Sequence, residues 1–207
     1  MSPKEILRGK IKNLLKSIPP EDFVRQGEKA AALLRPSPIW SEYSTVFLFL
    51  SINSEIDTRP LIETSLSDGK KVFVPKAEAE RLVFYPVLSP DGPWTKGPFG
   101  IRAPETVKPA GARAYPALIL TPGLAFDAEG MRLGRGGGYY DRFFSELDAR
   151  GRQYFAIGLC MDFQLVDKVP MEERDKKMNG LLTGEKFILP GPTDSLFTGP
   201  GSQAENP

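Results

Sequence analysis

The order of its apolar segments constrains this chain most. Thr45–Leu50 is a short β-rich run, Ile56–Ser67 carries Ile56, Leu61, Ile62 and Leu66 at helical spacing, and Lys71–Val74 is β-rich again. A strand, a helix and a second strand in that order favour parallel pairing, and a parallel sheet needs helices on its faces. Leu82–Tyr85, Ala117–Leu120, Gln153–Leu159 and Gly180–Phe187 read as further strands. The expected fold is α/β, a largely parallel central sheet flanked by helices in a three-layer, Rossmann-like single domain over residues 1–189. Its 207 residues, 41% hydrophobic and 26% charged, suffice for one such core. Residues 190–207, rich in Pro, Gly and Ser, are expected to form a disordered tail.

Helix boundaries are written in the chain's capping residues. Ser2-Pro3-Lys4-Glu5 combines an N-cap serine, an early proline and a glutamate placed for a capping box. Leu7, Ile11, Leu14, Leu15 and Ile18 then predict one buried stripe, with Lys4, Arg8 and Lys12 on or beside another face. Pro19-Pro20 ends this helix. Glu21 and Asp22 open a second one, whose Phe23, Ala30, Ala31, Leu33 and Leu34 run toward Pro36. Leu88–Pro116, rich in Pro and Gly, reads as a long functional loop.

Composition narrows the chemistry. There is no histidine, and Cys160 is the only cysteine, which excludes an internal disulfide, a multi-cysteine zinc site and a Ser-His-Asp triad. What remains is chemistry by carboxylates, Lys, Arg, backbone amides and a hard cation such as Mg²⁺, a set suited to phosphate. The net charge of +1 supplies no global field for nucleic acid or an anionic membrane. The longest apolar runs, such as Val46–Leu50, are far too short to span a bilayer, and a cytoplasmic protein is expected.

The most informative stretch runs from Thr121 to Arg142, between the strand Ala117–Leu120 and the helical pattern Phe143–Leu147. Gly134, Gly136, Gly137 and Gly138 allow successive N–H groups to face one concavity, and the following helix adds its dipole. Arg132 and Arg135 would supply forked donors to phosphate oxygens and to charge developing during phosphoryl transfer. No Gly-Lys-Ser/Thr follows the glycines, and Tyr139 stands where a dinucleotide loop needs glycine, so neither familiar nucleotide fingerprint applies. A solvated, flexible loop is the alternative reading. Tyr139 and Tyr140 read first as packing residues, one of them facing a ligand. Asp141 reads equally as a first-turn carboxylate on the helix dipole or as a Mg²⁺ ligand.

Pro122–Asp127, Gly130 and Arg132–Arg142 together resemble the signature of the 5-formyltetrahydrofolate cyclo-ligase family, also called 5,10-methenyltetrahydrofolate synthetases, and the likeness extends over roughly residues 4–186. The resemblance implies ATP-driven, Mg²⁺-dependent conversion of 5-formyltetrahydrofolate to 5,10-methenyltetrahydrofolate with release of ADP and phosphate. It implies ATP contacts from Lys4, Arg8, Arg132, Gly134, Arg135, Gly136, Gly137, Gly138, Tyr139 and Tyr140. It further implies substrate contacts from Leu50, Glu55, Arg135 and Tyr139, and Mg²⁺ ligation by Asp141 and Asp175. Catalysis falls to Arg132 and Arg135. Trp94 and Phe99 lie where the family has a substrate-facing loop. The implied partners are ATP and reduced folates, without nucleic acid or membrane, and a monomer is the expected state.

Two departures stand out. Many relatives read His-Asp-x-x-Val-Asp where this chain reads Arg174-Asp175-Lys176-Lys177-Met178-Asn179, and Gly-Ile-x-Glu-Pro becomes Gly100-Ile101-Arg102-Ala103-Pro104. Asn179 and Ala103 each lose a carboxylate, which motivates one alternative: a non-catalytic folate-binding or regulatory paralog. An RNA-associated nucleotide-binding module, suggested only by the Arg-rich loop, lacks a basic, aromatic-interleaved patch.

Overall fold

In the central strands, buried residues alternate between two cores. Val46, Leu48, Leu118, Leu120, Ile157 and Leu159 face one, while Phe47, Ile119 and Ala156 face the other. That period of two is what a sheet covered on both faces requires. The computed structural model describes residues 1–96, 102–105, 108–172, 175–190 and the pair Leu196–Phe197. The elements begin with helices α1 (Pro3–Lys16), α2 (Pro20–Leu34) and α3 (Pro38–Glu42), then strand β1 (Thr45–Phe47), α4 (Arg59–Ser67), β2 (Lys71–Glu78) and β3 (Arg81–Val87). There follow β4 (Trp94–Lys96), β5 (Arg102–Pro104), β6 (Ala117–Pro122), β7 (Ala125–Phe126), β8 (Arg132–Leu133) and α5 (Tyr139–Ala149). The remainder is β9 (Tyr154–Leu159), β10 (Gly180–Leu182), β11 (Phe187–Ile188) and β12 (Leu196–Phe197).

The main sheet has the order β12-β11-β10-β9-β6-β1-β2-β3. Its centre, from β10 through β9, β6 and β1 to β2, is parallel. Antiparallel strands close both edges. Residues of α1, α2 and α4 share the core of one sheet face, and Phe143, Phe144 and Leu147 of α5 share the other. The expected three-layer α/β fold with a mostly parallel sheet is the observed one. From β1 the chain crosses through α4 to β2 on one side, then returns to β6 on the other side of β1 and continues to β9 and β10. Connections therefore leave β1 and β6 in opposite directions, and a crevice opens beyond their carboxyl ends.

Several boundaries and faces differ from expectation. The capping box at Ser2 and Glu5 forms as expected. The inward face of α1, however, is Lys4, Ile11 and Leu15, while Leu14 is 42% exposed. Lys4 lies seven residues before Ile11, so it shares that face, which turns polar where α1 overhangs the crevice. Helix α4 starts at Arg59 rather than Ile56, with Pro60 in its first turn and Ile56 buried in the preceding loop. Gly180–Phe187 is two strands, not one. Thr183 accepts the N–H groups of Glu185 and Lys186 on its Oγ1 and reverses the chain between β10 and β11.

Within Leu88–Pro116, β4 and β5 pair antiparallel. Residues 97–101, with Phe99, lie outside the described residues, as do 106–107. In the segment 190–207, Leu196–Phe197 pairs with Phe187–Ile188. Residues 191–195 and 198–207 lie outside the described residues.

Candidate active site

The crevice beyond β1 and β6 holds a cavity of about 350 Å³. Residues from distant stretches meet there: Lys4 and Arg8 of α1, Glu55 after β1, the loop Gly134–Gly138, and Asp175 before β10. Each arrives for a local reason. Helix α1 carries Lys4 and Arg8 one turn apart, and Arg8 donates from Nε to the Gly134 carbonyl at 2.9 Å, tethering the glycine loop to the helix. The loop itself follows a short hairpin that the sequence pattern did not reveal, β7 paired with β8. Asp127 fastens this hairpin. Its carboxylate accepts the N–H groups of Glu129, Met131 and Val169, so this signature aspartate serves the backbone.

Gly136 (φ 116°) and Gly138 (φ 65°) occupy the left-handed region, where a side chain is strained. Gly138 is the N-cap of α5, and no side chain caps the helix. Its first-turn N–H groups and the helix dipole are therefore suited to an anion from the cavity. The solvated-loop alternative for this segment does not fit a loop held at Gly134 and bounded by a buried arginine.

Arg132 is that arginine, its side chain 4% exposed, with Nη2 donating to Asp141 Oδ1 at 2.7 Å. Its guanidinium lies 5.6 Å from the centre of the Tyr140 ring. Arg132 Nε and the Tyr140 hydroxyl are buried and have no hydrogen-bond partner among the described residues. Buried donors almost always have acceptors, so two orphaned donors lining one cavity point to a ligand that supplies the oxygens. Burial also pushes the Tyr140 phenol far above its ordinary range, leaving it a neutral donor at working pH. Tyr139 lies under the Arg142 guanidinium, 5.0 Å away.

Across the cavity, Arg135 donates from Nε and Nη2 to Glu55 Oε1 at 3.1 and 3.0 Å, and from Nη2 to Ser54 Oγ at 3.1 Å. The Glu55 side chain is 11% exposed and that of Arg135 37%. Burial holds the Glu55 carboxyl above its usual range, against the opposing pull of Arg135 and of the Ile52 N–H. Lys4 Nζ lies 2.7 Å from Asp175 Oδ2 and 3.3 Å from Glu172 Oε1. Both candidate metal ligands, Asp141 and Asp175, line the cavity, and each already faces a base. Among the described residues no cluster of three or more Asp, Glu, His or Cys has the form of a metal site.

Other expected residues fall elsewhere. Leu50 is 7% exposed in the core and is not among the residues lining the cavity. Trp94 packs partly against that core, also away from the lining. Asn179 accepts the Ala156 N–H at 2.8 Å and returns its own N–H to the Ala156 carbonyl at 2.7 Å, so it extends the pairing of β9 and lies outside the cavity. Sequence reasoning missed Glu172, Leu82, Ala77 and Arg142. Ala77 and Leu82 wall the cavity from the hairpin of β2 and β3, whose turn Arg142 holds through two donations to the Glu80 carbonyl at 3.0 and 2.6 Å. The signal available was Arg142 itself, directly after Asp141 and four residues beyond Gly138, in a first helical turn otherwise made of two tyrosines and an aspartate.

Fold and site together define an α/β protein whose ligand cavity, lined by bases, glycine backbone and two orphaned donors, lies at the switch point of a doubly wound sheet. Residues 1–184 match the 5-formyltetrahydrofolate cyclo-ligase family. The chain is 32% identical over 180 residues to a 5-formyltetrahydrofolate cyclo-ligase of Escherichia coli K12, covering 85% of this chain and 97% of that one. It is likewise 32% identical over 197 residues to one of Mycolicibacterium smegmatis, covering 91% and 98%. The solution structure of an Aquifex aeolicus 5,10-methenyltetrahydrofolate synthetase superimposes with a TM-score of 0.77 at 28% identity, covering 98% of this chain and 99% of that one. The chain belongs to the 5-formyltetrahydrofolate cyclo-ligase family and is an enzyme of the ligase class.

Proposed function

We propose that this enzyme converts 5-formyltetrahydrofolate to 5,10-methenyltetrahydrofolate with ATP as phosphoryl donor. The formyl oxygen attacks the γ-phosphorus of ATP and ADP leaves, giving an imidate phosphate on N5. N10 then attacks the formyl carbon, gives up its proton, and inorganic phosphate departs as the ring closes. A formamide oxygen is a poor leaving group and a phosphate is a good one, which is why the nucleotide is needed. Such a reaction asks for positioning and charge stabilisation more than for acid–base groups, so a chain without histidine is no obstacle.

The observation that carries this reading is the convergence of Lys4, Arg8, Arg132 and Arg135 with the glycine loop around one cavity. Lys4, Arg8, the loop amides and the start of α5 would bind the phosphates. Arg132 and the Tyr140 hydroxyl, both short of acceptors, would donate to the oxygens of the transferring group. Glu55 would accept two hydrogen bonds from the aminopyrimidine edge of the pterin, which requires Arg135 to leave it and turn to the developing charge.

Asp141 gives one oxygen to Arg132 and Asp175 one to Lys4, and the second oxygen of each suits a hard cation, so Mg²⁺ fits as the nucleotide's companion. Bound there, Mg²⁺ would neutralise charge across the phosphates. The test is to mix enzyme, 5-formyltetrahydrofolate, ATP and Mg²⁺ and follow methenyl absorbance together with ADP. One ADP per methenylfolate is expected; folate binding without ADP release would instead make the chain a non-catalytic paralog.

A further inference from the structure

The hairpin of β2 and β3 stands out beyond the sheet that carries it. The ladder of β2 with β1 ends at Phe73, and residues 74–78 pair, among the described residues, only with β3. This arm reaches the cavity, where the cross-strand pair of Ala77 and Leu82 forms part of the wall. Its tip is two residues long, and both Ala79 (φ 42°) and Glu80 (φ 67°) occupy the left-handed region. Hairpin tips of this kind favour Asn and Gly, because a Cβ crowds the backbone there. Neither the sheet nor the residues of the tip therefore do much to fix where the arm lies over the cavity.

Arg142 supplies that hold. It is exposed, yet its fork goes to a backbone carbonyl, that of Glu80, from Nε at 3.0 Å and Nη2 at 2.6 Å. The same guanidinium lies 5.0 Å from the centre of the Tyr139 ring, and a Cβ at Gly138 would stand 2.9 Å from its Nη1. Gly138 and Tyr139 both line the cavity. One side chain thus joins the end of the glycine loop to the tip of the arm, through a planar group whose donors point in fixed directions.

We propose that Arg142 is a positioning residue for the reaction proposed above, on which this role rests: it holds the arm of β2 and β3 against the glycine loop, so that Ala77 and Leu82 close on the substrate ring beneath them. Arg142 itself touches no reacting atom. Its loss weakens binding and leaves the chemistry of bound substrate intact. Arg142→Gln should therefore raise the KM of one substrate about tenfold with kcat within about twofold. Leu82→Ala takes away the wall and should raise the same KM about fivefold. Both changes act through the arm, so the double variant should be little worse than Arg142→Gln alone.

The experiment measures kcat and the KM of each substrate in the parent, in Arg142→Gln, in Leu82→Ala and in the double variant. A further variant adds Ala79→Asn/Glu80→Gly to Arg142→Gln, giving the tip the residues its backbone prefers without returning the guanidinium. Urea unfolding checks that the turn is restored, and the KM should stay raised. Arg142→Lys, which keeps a donor and loses the fork, should fall between parent and Arg142→Gln. Unchanged KM values in Arg142→Gln would overturn the proposal, as would effects of Arg142→Gln and Leu82→Ala that fall on different substrates or add in full. A KM that recovers with the altered tip would reduce Arg142 to a brace for the turn and overturn it equally. Should the parent not turn over, the proposed reaction fails, and calorimetry with 5-formyltetrahydrofolate and, separately, a non-hydrolysable ATP analogue reads the arm on its own. A Kd weakened about tenfold by Arg142→Gln and not recovered with the altered tip still supports the positioning role; unchanged Kd values remove it.

Discussion

Removing Arg135 should destabilise the ligand-free enzyme in a manner that depends on pH. The Arg135 side chain is 37% exposed, so the arginine itself returns to water at little cost. Glu55 is the partner that decides the outcome. At 11% exposure it would keep only the Ile52 N–H at 3.2 Å once Arg135→Ala removes the two donations to its Oε1. A buried carboxylate left short of donors costs about 2 kcal/mol, or about 6 °C in Tm for a chain of this size.

The sign with pH follows from Glu55, whose carboxyl burial already holds above the ordinary value and Arg135 holds down. Without Arg135 it rises further. A raised folded-state pKa means that the folded chain gains protons before the unfolded one, so the deficit is full above the folded pKa and shrinks as pH falls through it. Urea unfolding of parent and variant between about pH 8 and about pH 5 measures this, and the difference should narrow steadily toward acid. A difference independent of pH would refute the role given to Glu55. Glu55→Gln is the companion: close to neutral in stability at pH 8, yet weakened in folate binding.

Gly138→Ala places a side chain at φ 65°, 2.9 Å from Arg142 Nη1, and should cost about 1–2 kcal/mol while raising the KM for ATP; an unchanged Tm and KM would remove the left-handed cap from the account. Asp141→Ala strands the buried Arg132 guanidinium and should cost about 3 kcal/mol in urea unfolding, and a loss below about 1 kcal/mol would mean that the pair is not needed to hold the arginine. Asn179→Asp should leave turnover and the Mg²⁺ requirement within about twofold, because an aspartate oxygen accepts the Ala156 N–H as the amide does; a tenfold fall in the Mg²⁺ requirement would contradict that placement.

The layers of the fold were legible in the sequence because period-two apolar runs alternate with helical ones, and the cap at Ser2 and the acidic first turn of Glu21 and Asp22 sit where the first two helices begin. What the pattern hid was tertiary. Lys4 looks like a solvated residue until Asp175, 171 positions away, is found 2.7 Å from its ammonium group. The hairpin of β7 and β8 is too short to carry a periodic signal, and a buried aspartate, Asp127, fixes it through backbone bonds that no spacing rule reports. Gly180–Phe187 looked like one strand because a four-residue turn leaves apolar residues on both sides. The cavity's composition was largely readable, since the glycine loop and both arginines are contiguous in sequence. Its walls were not: Ala77 and Leu82 reach it only through the pairing of β2 with β3.

The central claim is that ATP phosphorylates the formyl oxygen. Labelling that oxygen with ¹⁸O and recovering the inorganic phosphate after turnover tests it directly. Each phosphate released should carry one labelled oxygen; unlabelled phosphate, with the label lost to water or retained on the folate, would contradict phosphorylation of the formyl oxygen.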